Sequence, residues 1–168
     1  MLKIFIILLG FISSNANSLE PYTTVNIEMI MFTNPTYNQS DPTKELFSKH
    51  IGKLNKSTVL ESLDLNNPLQ ALTHEYNKLQ KNQNYKIILH ATKQYNLLPT
   101  HKNKKFLVKT DDLTATLSIS QNPTRNNYFT ITLDSIYANN RLTKTIKAKT
   151  KEIYYFDHPI FGALVTIY

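Results

Sequence analysis

The chain has 168 residues, with 19 Lys and Arg against 12 Asp and Glu, a formal charge of +7 and a pI near 9.5. It has no cysteine, which excludes disulfides, thiolate metal sites and cysteine nucleophiles. A basic surface favours polyanions: nucleic acid, anionic lipid headgroups, or the acidic peptides and polymers of a cell wall.

Met1-Leu2-Lys3 precedes an apolar run, Ile4 to Ile12, broken only by Gly10; Ser13 to Ser18 are small and polar. A positive start, an apolar core of about ten residues and a small-residue cleavage zone predict a signal peptide over 1–18, removed on export. The run is well short of the roughly 20 residues needed to cross a bilayer. No cysteine follows it, so a bacterial lipoprotein anchor is excluded. Export argues against nucleic acid as a partner. Residues 19–168, about 150 in all, suffice for one domain with its own core, and no later segment reads as transmembrane.

Residues 23–33 alternate, with Val25, Ile27, Met29 and Met31 on one face and Asn26 and Glu28 on the other; this predicts a strand. Residues 34–41 read as a loop. Asp41-Pro42 looks like a helix start, with Leu46, Phe47, Ile51 and Leu54 at helical spacing. Residues 55–66 are ambiguous, with a short helical turn near 59–63. Asn67-Pro68 repeats the cap signal ahead of Leu69, Leu72, Tyr76 and Leu79, which predicts a helix over 68–82.

From Tyr85 the period changes to two. Ile87, Leu89 and Ala91 mark one strand, Phe106 and Val108 a short one, and Leu113, Ala115, Leu117 and Ile119 a third. After a turn over 122–127, Phe129, Ile131 and Leu133 continue the pattern. Asn139-Asn140 suits a hairpin turn, since Asn tolerates positive φ. Leu142, Ile146 and Ala148 then face inward while Thr143, Thr145, Lys147, Lys149 and Lys151 face out. Strict alternation would bury Glu152, which then needs a base such as Arg141 or Lys151; a bulge near 150–153, turning Ile153 and Tyr155 inward, or an edge position is the preferred alternative. The last strand spans about 163–168. The expected fold is α+β: one largely antiparallel sheet of about six strands, with one or two helices packed on one face.

The chemistry points to binding. No Gly-x-Ser-x-Gly elbow exists, and the five histidines lack metal-ligand spacing. No catalytic residue, metal or cofactor is expected. His90 and His158 would meet only if their strands were neighbours. Arg141, Lys147, Lys149 and Lys151, with Tyr155, make a candidate strip for carboxylate-bearing ligands. The competing reading is an edge strand guarded by lysines against aggregation. Asp157, His158 and Pro159 shape a corner between two apolar strands.

Residues 149–167 contain Glu152, Tyr154, Tyr155, Phe156, Asp157, His158, Pro159, Ile160, Phe161, Gly162, Leu164 and Val165, preceded by Lys147, Lys149 and Lys151. This stretch resembles the C-terminal motif of the CsiV family of exported peptidoglycan-binding proteins of gammaproteobacteria. Residues 85–94 resemble that family more loosely, through Leu89-His90 and Gln94, but the family's tryptophan is missing. The resemblance implies a periplasmic, non-enzymatic protein that binds peptidoglycan. It further implies support of a penicillin-binding-class synthase through an outer-membrane lipoprotein. Under it, Glu152, Asp157, His158, Pro159, Gly162 and His90 are mainly structural. An alternative function is an envelope protein–protein interaction module that does not touch glycan.

Overall fold

A computed structural model of the chain describes residues 23–34, 61–62, 70–97 and 103–168. Within them lie β1 (Thr23–Thr33), β2 (Glu61–Ser62), a 3-10 turn (Gln70–Leu72), α1 (Thr73–Lys81), β3 (Ile87–Leu97) and β4 (Lys104–Lys109). These are followed by β5 (Leu113–Asn122), β6 (Arg125–Tyr137), β7 (Asn140–Lys149), β8 (Ile153–Asp157) and β9 (Phe161–Ile167). The strands divide into two sheets, one in the order β3-β1-β9-β8 and the other β2-β4-β5-β6-β7. All pairings are antiparallel except β2 with β4.

This overturns the α+β expectation of a single sheet of about six strands with helices on one face. The described residues are mostly β, in two sheets, with one short helix. Period-two alternation identifies a strand and its buried face but not the sheet to which the strand belongs. Here the inward sets of both sheets meet in one core. Val25, Ile27, Met29, Leu89, Phe156, Phe161 and Val165 pack against Phe106, Leu117, Phe129, Ile131 and Leu133. Two antiparallel sheets with one apolar face each are stable face to face, because each removes the other's apolar side from water.

The local turns explain why the long strands pair as they do. Ala138 and Asn139 take φ of 46° and 65°, which gives the β6–β7 hairpin a primed turn matching strand twist. It sits one residue before the expected Asn139-Asn140. At the β5–β6 hairpin, the Asn122 Oδ1 accepts from the Thr124 amide at 2.9 Å and its hydroxyl at 2.8 Å. That Asx closure holds Pro123-Thr124 as a tight turn, shorter than the expected 122–127.

Three other expectations change. The helix predicted over 68–82 is a 3-10 turn followed by α1; its Asn67-Pro68 cap, like the helix predicted near 42–54, lies outside the described residues. Glu61–Ser62 pairs as a strand with Phe106 and Leu107, where a helical turn was expected. No bulge turns Ile153 and Tyr155 inward. β7 ends at Lys149, Lys151 takes φ 66° in a turn, and the chain restarts as β8 in the other sheet. Switching sheets replaces the bulge: Glu152 becomes exposed, and Ile153 and Tyr155 face solvent at 44% and 46% exposure.

The outer face of the first sheet is partly covered. Ile30 and Phe32 of β1 are buried with Leu72, and Tyr76, Leu79, Tyr85, Ile87 and Leu164 pack around them. Glu28 shares this face and is fully buried. Its Oε1 lies 2.7 Å from His90 Nε2, and its Oε2 accepts from the Leu72 amide at 3.2 Å. The Tyr76 ring stacks on His90 at 5.0 Å. Burial and the nearby Glu28 carboxylate raise the Tyr168 phenol above its ordinary value. The carboxylate therefore ties the start of the helical segment, β3 and the C-terminal tyrosine to the central strand. A buried carboxylate left without its partner is costly. His90→Ala is expected to lower unfolding free energy by about 3–5 kcal/mol, measured by urea denaturation. Glu28→Gln, which removes the charge together with the demand for a partner, is expected to cost less.

Candidate binding site

The outer face of the second sheet is mostly polar, with Leu107 and Ile136 as apolar exceptions. Register places them in rows across the strands. Lys109 and Thr114 lie beside Ile136 and Arg141; Leu107 and Thr116 beside Asp134 and Thr143; Lys105 and Ser118 beside Thr132 and Thr145; Ser120 beside Thr130 and Lys147. Threonine suits a half-buried pleated surface through its branched Cβ and keeps a hydroxyl in water. The Thr132 and Thr145 hydroxyls bond each other at 2.8 Å.

One end of this face deepens into an open cleft of about 620 Å³. β6 and β7 supply Arg125, Tyr128, Thr130, Lys147 and Lys149; the start of β8 and the turn before it supply Tyr154 and Glu152. The Arg125 guanidinium lies 5.5 Å from the Tyr128 ring centre, a cation–π contact that holds both at the rim. The Tyr154 hydroxyl accepts from the Lys149 amide at 2.7 Å and donates to Glu152 Oε2 at 2.6 Å. Burial and the hydrogen bond to Glu152 raise this phenol above its ordinary value, so it stays a donor. Lys149 Nζ is 3.9 Å from Glu152 Oε1, both side chains being about half exposed, a weak screened pair. Three cations thus face one carboxylate across a floor of hydroxyls, between two tyrosines.

The residues singled out from sequence divide. Lys147, Lys149 and Glu152 line the cleft. Arg141 lies at the other end of β7, where its Nε and Nη2 donate to the Asp134 carboxylate at 2.8 and 2.7 Å, and Thr143 donates to the same group. Burial pulls the Asp134 carboxyl upward, but the Arg141 and Thr143 bonds and the Arg141 charge prevail and leave it below its usual range. Arg141 is therefore committed to Asp134. Lys151 is exposed in the β7–β8 turn. Tyr155 belongs to the outer face of the first sheet, stacked on Phe32 at 6.1 Å and donating to Asp157 at 2.8 Å. The single strip expected from Arg141 to Tyr155 is thus broken into separate places, because β7 and β8 belong to different sheets.

The corner residues hold the β8–β9 hairpin. His158 is buried, its ring tilted on Phe161 at 4.9 Å, and its Nδ1 accepts from the Ile160 amide at 3.2 Å. The exposed Pro159 occupies the loop. At Gly162 a Cβ would stand 2.8 Å from the Tyr155 ring and 3.1 Å from Phe32; the missing side chain lets the Tyr155–Phe32 stack close over the strand. His90 and His158 do not meet, because β1 and β9 separate their elements. Among the described residues no three His, Asp or Glu side chains converge as a metal-binding group.

Sequence reasoning missed Arg125 and the burial of Glu28. Arg125 falls in the turn expected over 122–127; the Asn122-x-Thr124 closure is the signal that β6 starts early. Glu28, flanked by Ile27 and Met29 in an apolar strand, is the signal for a carboxylate with a partner. No protein-family model, curated protein or solved structure matches this chain.

Two tests follow from the corner. Burial lowers the His158 pKa below its ordinary 6.5, with Asp157 partly opposing. The unfolded chain then binds more protons than the native one as pH falls, so this contribution to stability is present above about pH 6.5 and lost below it. His158→Asn, which retains an acceptor for Ile160, should show a smaller fall in melting temperature from pH 7 to pH 5 than the parent. Gly162→Ala should cost about 1–3 kcal/mol by overpacking, and adding Tyr155→Ala should recover much of that loss in a double-mutant cycle.

Proposed function

We propose that this chain is an exported, non-catalytic module that binds peptidoglycan through the cleft at the β6–β7–β8 end of the second sheet. The observation that carries this reading is the convergence of Arg125, Lys147 and Lys149 with the faces of Tyr128 and Tyr154 in one open cleft. Wall peptides carry carboxylates, which pair with such cations. Sugar rings present C–H faces that pack on tyrosine, and glycan hydroxyls match the Thr130 and Thr124 positions. An open cleft suits a polymer that enters from the side. The basic N-terminal sequence pattern supports export, and the resemblance in residues 149–167 supports the periplasm as destination. That resemblance also supports the further step, service to a cell-wall synthase through an outer-membrane lipoprotein.

Pull-down with purified sacculi tests the ligand. Retention should fall as salt rises, because exposed charges are screened over about 8–10 Å at physiological ionic strength. Lys147→Glu combined with Lys149→Glu should weaken binding about tenfold or more, a change of about 1.4 kcal/mol or greater. Arg141→Glu should affect stability more than retention. Equal retention of the parent and the Lys147/Lys149 variant would exclude the cleft.

A further inference from the structure

Glu152 is the one acid that lines the cleft, and although exposed it is held at both ends. Its carbonyl accepts from the hydroxyl of the buried Thr166 at 2.9 Å. The preceding residue, Lys151, donates its amide to the Ile167 carbonyl at 2.7 Å. Its side-chain Oε2 accepts from the Tyr154 hydroxyl at 2.6 Å, and the Lys149 amide aims that hydroxyl from 2.7 Å. A surface glutamate ordinarily keeps its rotamer freedom, and fixing one costs entropy. This carboxylate is therefore oriented, in a cleft whose other charged residues are cations.

The arrangement leaves one carboxylate oxygen for the cleft. Among the described residues, the Glu152 Oε1 has Lys149 Nζ at 3.9 Å, beyond the roughly 3.2 Å of a hydrogen bond. Tyr154 gives its proton to Oε2, so that hydroxyl has none for a ligand. No described carboxylate pairs with Arg125 or Lys147. Lys147 and Lys149 share a face of β7 two residues apart, about 7 Å along the strand, with Glu152 beside Lys149. A positive end and a negative end thus stand within one cleft.

An oriented carboxylate on the wall weakens a site for a simple anion, because like charges repel. A ligand carrying both signs turns the same carboxylate into a partner. We infer that the cleft reads a zwitterionic head, an amine and a carboxylate close together on one ligand. Glu152 Oε1 accepts from the ammonium, and Lys147 and Arg125 take the carboxylate. This inference rests on peptidoglycan as the ligand and names the part of it that is bound. In a wall peptide, the head of this kind is the free end of a diamino acid. Cross-linking turns that amine into an amide and removes its positive charge, so the cleft selects wall that is not yet cross-linked.

Isothermal titration with soluble fragments tests this selection. The probes are a disaccharide peptide ending in a free diamino acid, the same peptide with that amine acetylated, and the free diamino acid alone. The parent should bind the free-amine peptide about tenfold or more tighter than the acetylated one. Glu152→Gln, which keeps an acceptor for the Tyr154 hydroxyl and removes the charge, should bind both peptides alike. Tyr154→Phe, which releases Glu152 and keeps the ring, should shrink the preference and leave the affinity for the acetylated peptide unchanged. Equal binding of the two peptides by the parent would overturn the inference, as would a preference that survives Glu152→Gln. If sacculus retention still depended on Lys147 and Lys149, peptidoglycan would stand as the ligand and the zwitterionic head alone would fall. Binding of the free diamino acid as tightly as the peptide would support the head and overturn the wall as its source. A parent that binds no probe at about 1 mM would overturn the inference, and loss of sacculus retention as well would remove the peptidoglycan reading with it.

Discussion

The middle of β1 has no side that faces water. Val25, Ile27, Met29 and Met31 enter the core between the sheets, while Glu28, Ile30 and Phe32 are buried on the opposite face beneath the helical segment. A strand buried on both faces must be central, and the order β3-β1-β9-β8 makes it so. Everything packed around it inherits its register. One position on the covered face is a carboxylate, and that position recruits His90 and the Leu72 amide. The polar exception therefore specifies where the helical segment docks, since an apolar residue there would allow it to slide.

The two outer faces have opposite characters because only one is covered. The first sheet has part of its outer face covered by Leu72, Tyr76 and Leu79 and keeps Ile153 and Tyr155 exposed on β8. The second sheet keeps its outer face wet, with hydroxyls and cations at alternate positions. The binding proposed above uses the second face, where groups of a polar ligand would replace water without stripping an apolar surface. The β8 edge is the more apolar surface, with Ile153 and Tyr155 exposed.

The motif around residues 152–162 serves both faces. Side chains of consecutive strand residues point to opposite sides. Glu152 and Tyr154 join Lys149 at the cleft, while Tyr155, Asp157 and the gap at Gly162 shape the other surface. His158 and Phe161 lock the hairpin between them. A compact sequence motif thus links two surfaces mechanically, and its acid and imidazole groups stand apart.

The strands themselves were legible in the chain, because alternation reports burial directly. β1, β5, β6 and β7 lie where Val25 to Met31, Leu113 to Ile119, Phe129 to Leu133 and Leu142 to Ala148 placed them, and Lys147 and Lys149 of β7 are exposed as their phase required. What alternation could not report was partnership. Whether β8 continues β7's sheet or begins another depends on the turn at Lys151 and on which apolar face is nearer in space, which are non-local facts. That single crossing separated Tyr155 from the lysines, brought Tyr154 beside them, and exposed Ile153. Arg141 likewise looked free until β6 set Asp134 beside it. Local pattern determined the secondary structure and the sign of the surface charge; tertiary pairing alone decided which charges remain available, because neutralisation and burial depend on neighbours distant in sequence.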